Sequence, residues 1–403
     1  MTTTNAAWGS ASEIDDPAGA VAIAGVGEAD HTQASGRSAR EIAAQAVERA
    51  LDDAGLAPGD VDGLLFSGGI GDAFDARAFR EHFGTSQEIW ESPRGGGMVW
   101  AATAPATAAG VLRSGRVRHA LNVFSVSWAT QRPQMVGGPG QFHAEERYKA
   151  SLEVPFGWFP QPVYFATIAR RHMIEFGTLP EQLGAIAVSC RRHANLHPGA
   201  VMREKKLSLA DYLARPMLVD PLRVEDCCLI SDGGGAYLMT TPERARDLRQ
   251  PPAVIRAAAQ GASVDQQMMT SYYRDAIGEL PEMHFVASQL YAQSGVGPRD
   301  FQTAVIYDHF TPFVLAQLEA FGFCKPGEAK DFVKGDNIEL GGALPVNTHG
   351  GQLGEAYIHG MNGIAEGVRQ VRGSAVNQIR DVEHVLVTAG TGVPTSAIVL
   401  GKH

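Results

Sequence analysis

Tyr307 and Tyr357 are the side chains of this sequence whose type and setting best suit chemistry. An apolar run, Ala304-Val305-Ile306, delivers Tyr307-Asp308-His309 where a buried strand must end and turn into a helix over 312–321. A glycine loop, NTHGGQLGEAYIHGMNG over 347–363, allows close backbone approach and carries Tyr357 near the start of a following helical pattern. A tyrosine taken alone is more often a half-buried core residue with a bonded hydroxyl. Two of them in glycine-flanked segments, one at a strand's C-terminal end, read instead as a reactive acid and base. An ordinary phenol titrates near ~10, so a basic tyrosine needs neighbours that stabilise phenolate or relay its proton. His309, His349 and His359 are the available relays. For His309 and His349 a second reading stands, a simple bond to a loop carbonyl. Asp308 either meets substrate or caps the following helix.

The elements that would position this pair repeat. AVAIAGVG is a strand run, Ser38 caps a helical pattern that stops at Gly55, and DVDGLLFSGG supplies the next strand, a β-α-β order that predicts parallel pairing. Gly95-Gly96-Gly97 opens a small-residue helix suited to burial between sheets, with Pro105 as a kink or a late start, and HALNVFSVSW follows as a strand. The triple glycine is also a weak signal for an anion at a helix N-terminus. From about 130 to 216 the pattern loosens into a prolyl and aromatic insertion that reads as a lid. Its Arg170-Arg171 and Arg203-Glu204-Lys205-Lys206 suit either a solvated face or the phosphates of a ligand. Ser231-Asp232-Gly233-Gly234-Gly235-Ala236 is expected as a tight turn within a strand. AGLAPGDVDGLLFS is echoed by SGVGPRDFQTAVIY at a constant offset that places Pro58 on Pro298 and Ser67 on Tyr307. GGGMVWAATAPATAAGVLRSG is echoed by GGQLGEAYIHGMNGIAEGVRQ. Such a duplication predicts two similar α/β halves about a pseudo-twofold axis: a tail over 1–18, a first half over 19–250 that includes the insertion, and a second half over 251–403.

Composition bounds the function. At 403 residues, 44% hydrophobic and 19% charged, the chain can bury a large core, and a formal charge of −10 argues against a nucleic-acid surface. No apolar run reaches the ~18–20 residues of a membrane span, and the N-terminus lacks a leader pattern, so a cytoplasmic protein is expected. Cys190, Cys227, Cys228 and Cys324 have no metal spacing and read as reduced, mostly buried thiols; no metal site is expected.

Taken together, VAIAGVGEADHT, AGLAPGDVDGLLFSGG, SDGGGA, YDHFTP, NTHGGQLGEAYIHG and VTAGTG make the chain resemble the thiolase superfamily from about Val21 to Leu400. That resemblance implies an α/β, thiolase-like five-layer α-β-α-β-α fold of two duplicated halves, usually dimeric, acting on acyl-CoA. It places the thiolase nucleophile on Met98 or a neighbour, the Asn-Glu-Ala-Phe motif on Tyr307-Asp308-His309-Phe310, the Gly-His-Pro motif on Ala356-Tyr357-Ile358, and the Cys-x-Gly motif on Thr388-Ala389-Gly390. All four polar catalytic positions are changed, so Claisen chemistry through an acyl-enzyme is excluded.

The coordinated change of two such positions to tyrosine resembles the lipid-transfer or sterol-carrier-protein thiolase-like branch, and within it the steroid side-chain-cleaving aldolases. The resemblance implies retro-aldol cleavage of a β-hydroxyacyl-CoA, a steroid side-chain thioester, to a ketone and a shorter acyl-CoA such as propionyl-CoA or acetyl-CoA. Tyr307, Tyr357, His309 and His349 would be catalytic. Met98, Asp308, Gly351, His359, Thr388, Gly390 and Gly392 would contact substrate, with backbone N–H groups near Gly351 or Gly392 holding the enolate. No cofactor beyond the substrate's own CoA is expected. A homodimer joined through first-half strands, and a complex with an OB-fold, zinc-binding partner protein, are the expected assemblies. The alternative is a non-catalytic thiolase-fold scaffold that binds acyl-CoA or lipid.

Overall fold

A computed structural model describes residues 19–67, 73–135, 151–152, 154–157, 161–262, 279–390 and 395–403. Among these residues eleven strands are formed: β1 (Ala22–Glu28), β2 (Gly63–Phe66), β3 (Trp90–Ser92), β4 (Ala120–Ser127), β5 (Met217–Val219), β6 (Leu222–Arg223), β7 (Asp232–Thr240), β8 (Ala253–Gly261), β9 (Thr303–Val305), β10 (His384–Ala389) and β11 (Thr395–Gly401). Apart from the β5–β6 hairpin they join in the order β3-β2-β4-β7-β1-β8-β11-β10-β9. The two halves meet at β1–β8, where only Ala22 and Ile23 pair with Val254 and Ala253. On either side of that seam the pattern repeats. β1 and β4 lie antiparallel to β7 as β8 and β10 lie antiparallel to β11, and β2 runs parallel to β4 as β9 does to β10. Even β3, parallel to β2, has a remnant in the parallel bridge of Val346 to Ala304.

The layers follow from which strands each helix touches. Helix Val99–Arg113 and helix Met361–Arg372 each touch strands of both halves, so they form the middle layer, while Ala39–Ala54 covers β1, β4 and β7 and Pro281–Ser294 covers β8 and β11. This is the five-layer α-β-α-β-α arrangement. Helix Ala39–Ala54 has the expected ends: a Ser38–Glu41 capping box and Gly55 in the left-handed region at φ 73°. Pro105 neither breaks the middle helix nor delays it. Lacking an N–H, it leaves the Ala101 carbonyl free, and the Tyr237 hydroxyl donates to that carbonyl at 2.6 Å.

Three expectations are corrected. β1 and β2 run parallel but are not neighbours, because β4 and β7 lie between them. The second copy of the triple-glycine segment is displaced: Met98 caps the first buried helix, and its counterpart is Gly360 rather than the Gly350-Gly351 pair. The second half spends the intervening residues on the loop bearing Tyr357, which therefore precedes the helix instead of lying in it. Asp232–Thr240 is an unbroken buried strand, not a turn. Its glycines are there for close packing: a Cβ on Gly233 would lie 2.7 Å from the His31 ring and 2.9 Å from Ile358. The described helices of the insertion, Gln161–Phe176 and Pro180–Leu196, are longer than their sequence pattern suggests. They share one apolar core with the second half, Phe165 lying against Phe310 and Phe313.

Candidate active site

Beyond β9 the chain is pinned residue by residue. The Ile306 N–H donates to Asn347 Oδ1 at 2.8 Å, and Asn347 Nδ2 returns a bond to the Ile306 carbonyl at 2.9 Å. The Tyr307 N–H donates to Thr388 Oγ1 (2.7 Å), that hydroxyl donates to Gln317 Oε1 (2.7 Å), and Gln317 Nε2 donates to the Tyr307 carbonyl (2.7 Å). This closed ring sets the backbone of Tyr307, so Thr388 positions the phenol rather than offering its hydroxyl to substrate.

Asp308 also turns inward. Its carboxylate accepts the Gln352 N–H at 2.8 Å and the Leu353 N–H at 3.4 Å, with the Cys190 thiol at 3.5 Å. It therefore caps the short Gly351–Gly354 helix, not the Thr311–Ala320 helix that follows it, and burial raises its carboxyl to about 6. Gly351 exists for this contact: at φ 65°, a Cβ would sit 1.9 Å from Asp308 Oδ2. Gly351→Ala is expected to cost about 3–5 kcal/mol, from left-handed strain plus the clash. A urea melt of the variant within ~1 kcal/mol of wild type would contradict this account of the loop.

The loop brings Tyr357 over to Tyr307. The Tyr357 N–H donates to Ser231 Oγ at 2.9 Å, and the Met98 N–H donates to the His359 carbonyl at 2.7 Å. The two phenols are buried next to each other, near enough for each to shift the other's titration, and Gln352 lies beside the Tyr307 hydroxyl. Burial raises both phenols above the ordinary range. At Tyr307 the neighbouring Tyr357 and Gln352 work against that rise, whereas at Tyr357 the Tyr307 and Cys228 neighbours add to it. The pair is thus asymmetric, with Tyr307 the oxygen better able to carry negative charge.

Aromatic rings wall the pair. His309 lies 5.1 Å from Tyr307 between Phe165 and Phe313, neither ring nitrogen has a partner, and burial holds it neutral down to about 3. His359 stacks on Phe124 at 5.0 Å and meets Tyr357 at 5.1 Å, likewise neutral to about 3 through burial. His349 faces Glu355 Oε2 at 3.8 Å instead of either phenol. Gly390 packs on the start of the Val99–Arg113 helix, where a Cβ would be 2.9 Å from the Val99 nitrogen. Met98 heads that helix at φ 55°, and Gly392 lies outside the described residues.

Four residues of the site escape a reading of the sequence. Gln352 was visible only as a polar residue in the glycine loop, and Ser231 only as part of SDGGGA. Trp128, 5.1 Å from Tyr357, and Asp232 belong together. The Asp232 carboxylate accepts the Ala129 and Thr130 N–H groups at 2.9 and 3.1 Å and so fixes the backbone just after Trp128.

A cleft of about 1100 Å³ opens beside this centre, with Cys228, Phe310 and Leu353 at its floor and Arg191, Lys205 and Lys206 among its walls. Arg170 and Arg171 are instead committed to pairs with Asp220 and Glu175.

Comparison with known proteins decides the kinship. Residues 261–402 match the thiolase C-terminal domain-like family. A steroid side-chain-cleaving aldolase of Thermomonospora curvata is 46% identical over 95% of this chain and 98% of its own. The chain belongs to the thiolase-like steroid side-chain-cleaving aldolases. A 17-hydroxy-3-oxo-4-pregnene-20-carboxyl-CoA lyase of Mycobacterium tuberculosis is 47% identical over 95% of this chain and 99% of its own. The solved Ltp2-ChsH2(DUF35) aldolase superposes with a TM-score of 0.87 at 46% identity, covering 96% of this chain and 99% of that one. Among the described residues no helix is long and apolar enough to cross a membrane.

Proposed function

We propose that this member of the family cleaves a steroid side-chain β-hydroxyacyl-CoA by a retro-aldol reaction, with the adjacent Tyr307 and Tyr357 as its proton-transfer unit. The pair itself carries the reading: two buried phenols lie next to each other, beside a cleft whose Cys228, Phe310 and Leu353 adjoin them and whose volume is large enough for a thioester. The β-hydroxyl proton passes to Tyr307 as its own proton passes to Tyr357 and that of Tyr357 goes to the α-carbon. The bond between the α- and β-carbons breaks, its electron pair stays on the α-carbon as the thioester enolate, and the β-carbon becomes the ketone. One proton moves from oxygen to carbon and both phenols end neutral. Burial makes a free phenolate costly, and a relay of this kind never leaves one exposed to that cost. No acyl-enzyme is required, and Met98, at the position matched to the thiolase nucleophile, could not form one. The reading is tested by quantifying ketone and shortened acyl-CoA from β-hydroxyacyl-CoA substrates; no cleavage of any steroid thioester would return the chain to a scaffold role.

The cleft suggests how the thioester's long anionic handle is held. Lys205 and Lys206 line it, and a CoA tail carries phosphates that such ammonium groups recognise. The double variant Lys205→Ala, Lys206→Ala is expected to raise KM by about 10-fold or more with kcat little changed, because the contact is remote from the bond that breaks. An unchanged KM would remove these residues from the CoA site.

In the assembly we infer, two chains pair through β3, which hydrogen-bonds to β2 and ends the sheet. An OB-fold partner of the DUF35 kind joins them, a reading supported by the solved relative, whose name pairs Ltp2 with ChsH2(DUF35). Light scattering of the chain is expected to give twice the 42.9 kDa chain mass, and addition of the partner to raise turnover. A mass of one chain at micromolar concentration, or partner-independent turnover, would overturn the corresponding half of this inference. A cytoplasmic setting fits acyl-CoA chemistry.

A further inference from the structure

Behind the Tyr357 loop lies a buried cluster that the tyrosine chemistry does not use. Glu28 ends β1, His31 follows it, Glu355 stands two residues before Tyr357, and His197 lies just past helix Pro180–Leu196. Ligand atoms of Glu28, His31 and Glu355 all fall within 4.8 Å of one another. His31 Nε2 is 4.0 Å from Glu28 Oε1, and His197 Nδ1 is 3.7 Å from Glu355 Oε1. The side chains are 3% (His31), 10% (Glu28), 10% (His197) and 1% (Glu355) exposed.

What makes the cluster unusual is which atoms remain unmatched. Arg369 takes Glu28 Oε2, and Asn362 Nδ2 donates to Glu355 Oε2 at 2.8 Å. Glu28 Oε1, His31 Nε2 and His197 Nδ1 have no hydrogen-bond partner. With the ring proton on Nδ1, His31 Nε2 presents a bare lone pair, and it faces carboxylate oxygens that carry lone pairs as well. Acceptors converging on acceptors in a dry site are repulsive unless a cation sits among them.

We propose that Glu28, His31, His197 and Glu355 form a divalent transition-metal site that ties the end of β1 to the loop bearing Tyr357. Two carboxylates with two imidazoles suit Zn²⁺ or Co²⁺ better than Mg²⁺ or Ca²⁺, which favour oxygen-only shells. The ligands lie far apart in sequence, which is why no metal spacing is visible there.

The test uses the full, tag-free chain purified without chelator, and its readout is metal rather than turnover. Elemental analysis is expected to give close to one Zn²⁺ per chain, and EDTA-treated protein titrated with Co²⁺ to show a saturable visible absorption band. His31→Ala and Glu28→Gln should each weaken Co²⁺ binding by about 10-fold or more. Where circular dichroism shows that either variant misfolds, His31→Gln and Glu355→Gln are read in the same titration. Absence of both stoichiometric Zn²⁺ and a saturable Co²⁺ band would overturn the site and leave a proton or a water among these groups. Metal binding that survives unchanged in the folded variants would overturn the assignment of its ligands.

Discussion

Tyr307→Phe and Tyr357→Phe will each lower retro-aldol turnover by about 10²- to 10⁴-fold while leaving the circular dichroism of the protein unchanged. The expectation rests on what phenylalanine preserves. Both rings are buried, Tyr357 packs on Trp128 and His359, and Tyr307 packs on His309, so removing a hydroxyl keeps the volume and the ring contacts. What is lost is one of the two neighbouring hydroxyls that the relay needs and, at Tyr307, the oxygen beside which Gln352 lies. If the pair is one relay, the double variant should be little worse than either single one, because breaking a chain twice costs no more than breaking it once. Additive losses would mean that the phenols act separately. Met98→Ala is the matched control: it alters packing at the head of the buried helix and is expected to retain cleavage. Release of ketone and shortened acyl-CoA measures all four variants. Wild-type rates in both single variants would sink the relay and favour the scaffold reading.

Much of this site was legible in the sequence because its chemistry lies at the ends of strongly patterned elements. The apolar run before Tyr307 and the glycines around Tyr357 mark the two segments, and the thiolase resemblance brings them together. The roles of their neighbours were less legible, because hydrogen-bond direction is a three-dimensional property. Asp308 and Thr388 look like ligand groups in a strand-end motif, yet one carboxylate is consumed by the Gln352 and Leu353 N–H groups and one hydroxyl by Gln317. Asp232 was hidden for a different reason. Its glycine neighbours signal a turn by local propensity, whereas in the central strand β7 they are required by helices packed on both faces. Offsets in the duplication failed at the same place that function entered. Pro58–Asp60 and β2 match Pro298–Asp300 and β9, but the second half then inserts the reactive loop before its buried helix.

Acidification below about pH 6.5 is expected to unfold this protein steeply, and His309 and His359 should account for much of the slope. Burial holds each imidazole neutral to about 3 in the folded state, against ~6.5 when unfolded. Between those values the unfolded chain binds protons that the folded chain refuses, so stability is full above pH 6.5 and falls as pH drops toward 3. A shift of that size corresponds to about 4–5 kcal/mol per group at the acid limit, and two such groups rival the ~5–15 kcal/mol of a whole domain. Asp308 acts in the opposite sense. Its carboxyl is raised to about 6, so its contribution is present below ~4 and lost as pH rises through 6, which partly offsets the histidines between pH 4 and 6. His309→Phe separates these effects. The ring sits among Phe165, Phe310 and Phe313 with both nitrogens unpartnered, so phenylalanine should pack in its place and remove about one proton from the acid-unfolding slope. Urea melts from pH 4 to 8 would show this as a flatter stability profile, and an unchanged profile would refute the burial account of His309. The same variant should turn over more slowly. The His309 ring nitrogens, 5.1 Å ring to ring from Tyr307, have no partner in the resting fold, which leaves them available to the substrate or the migrating proton. A variant both more acid-stable and fully active would leave His309 with neither role.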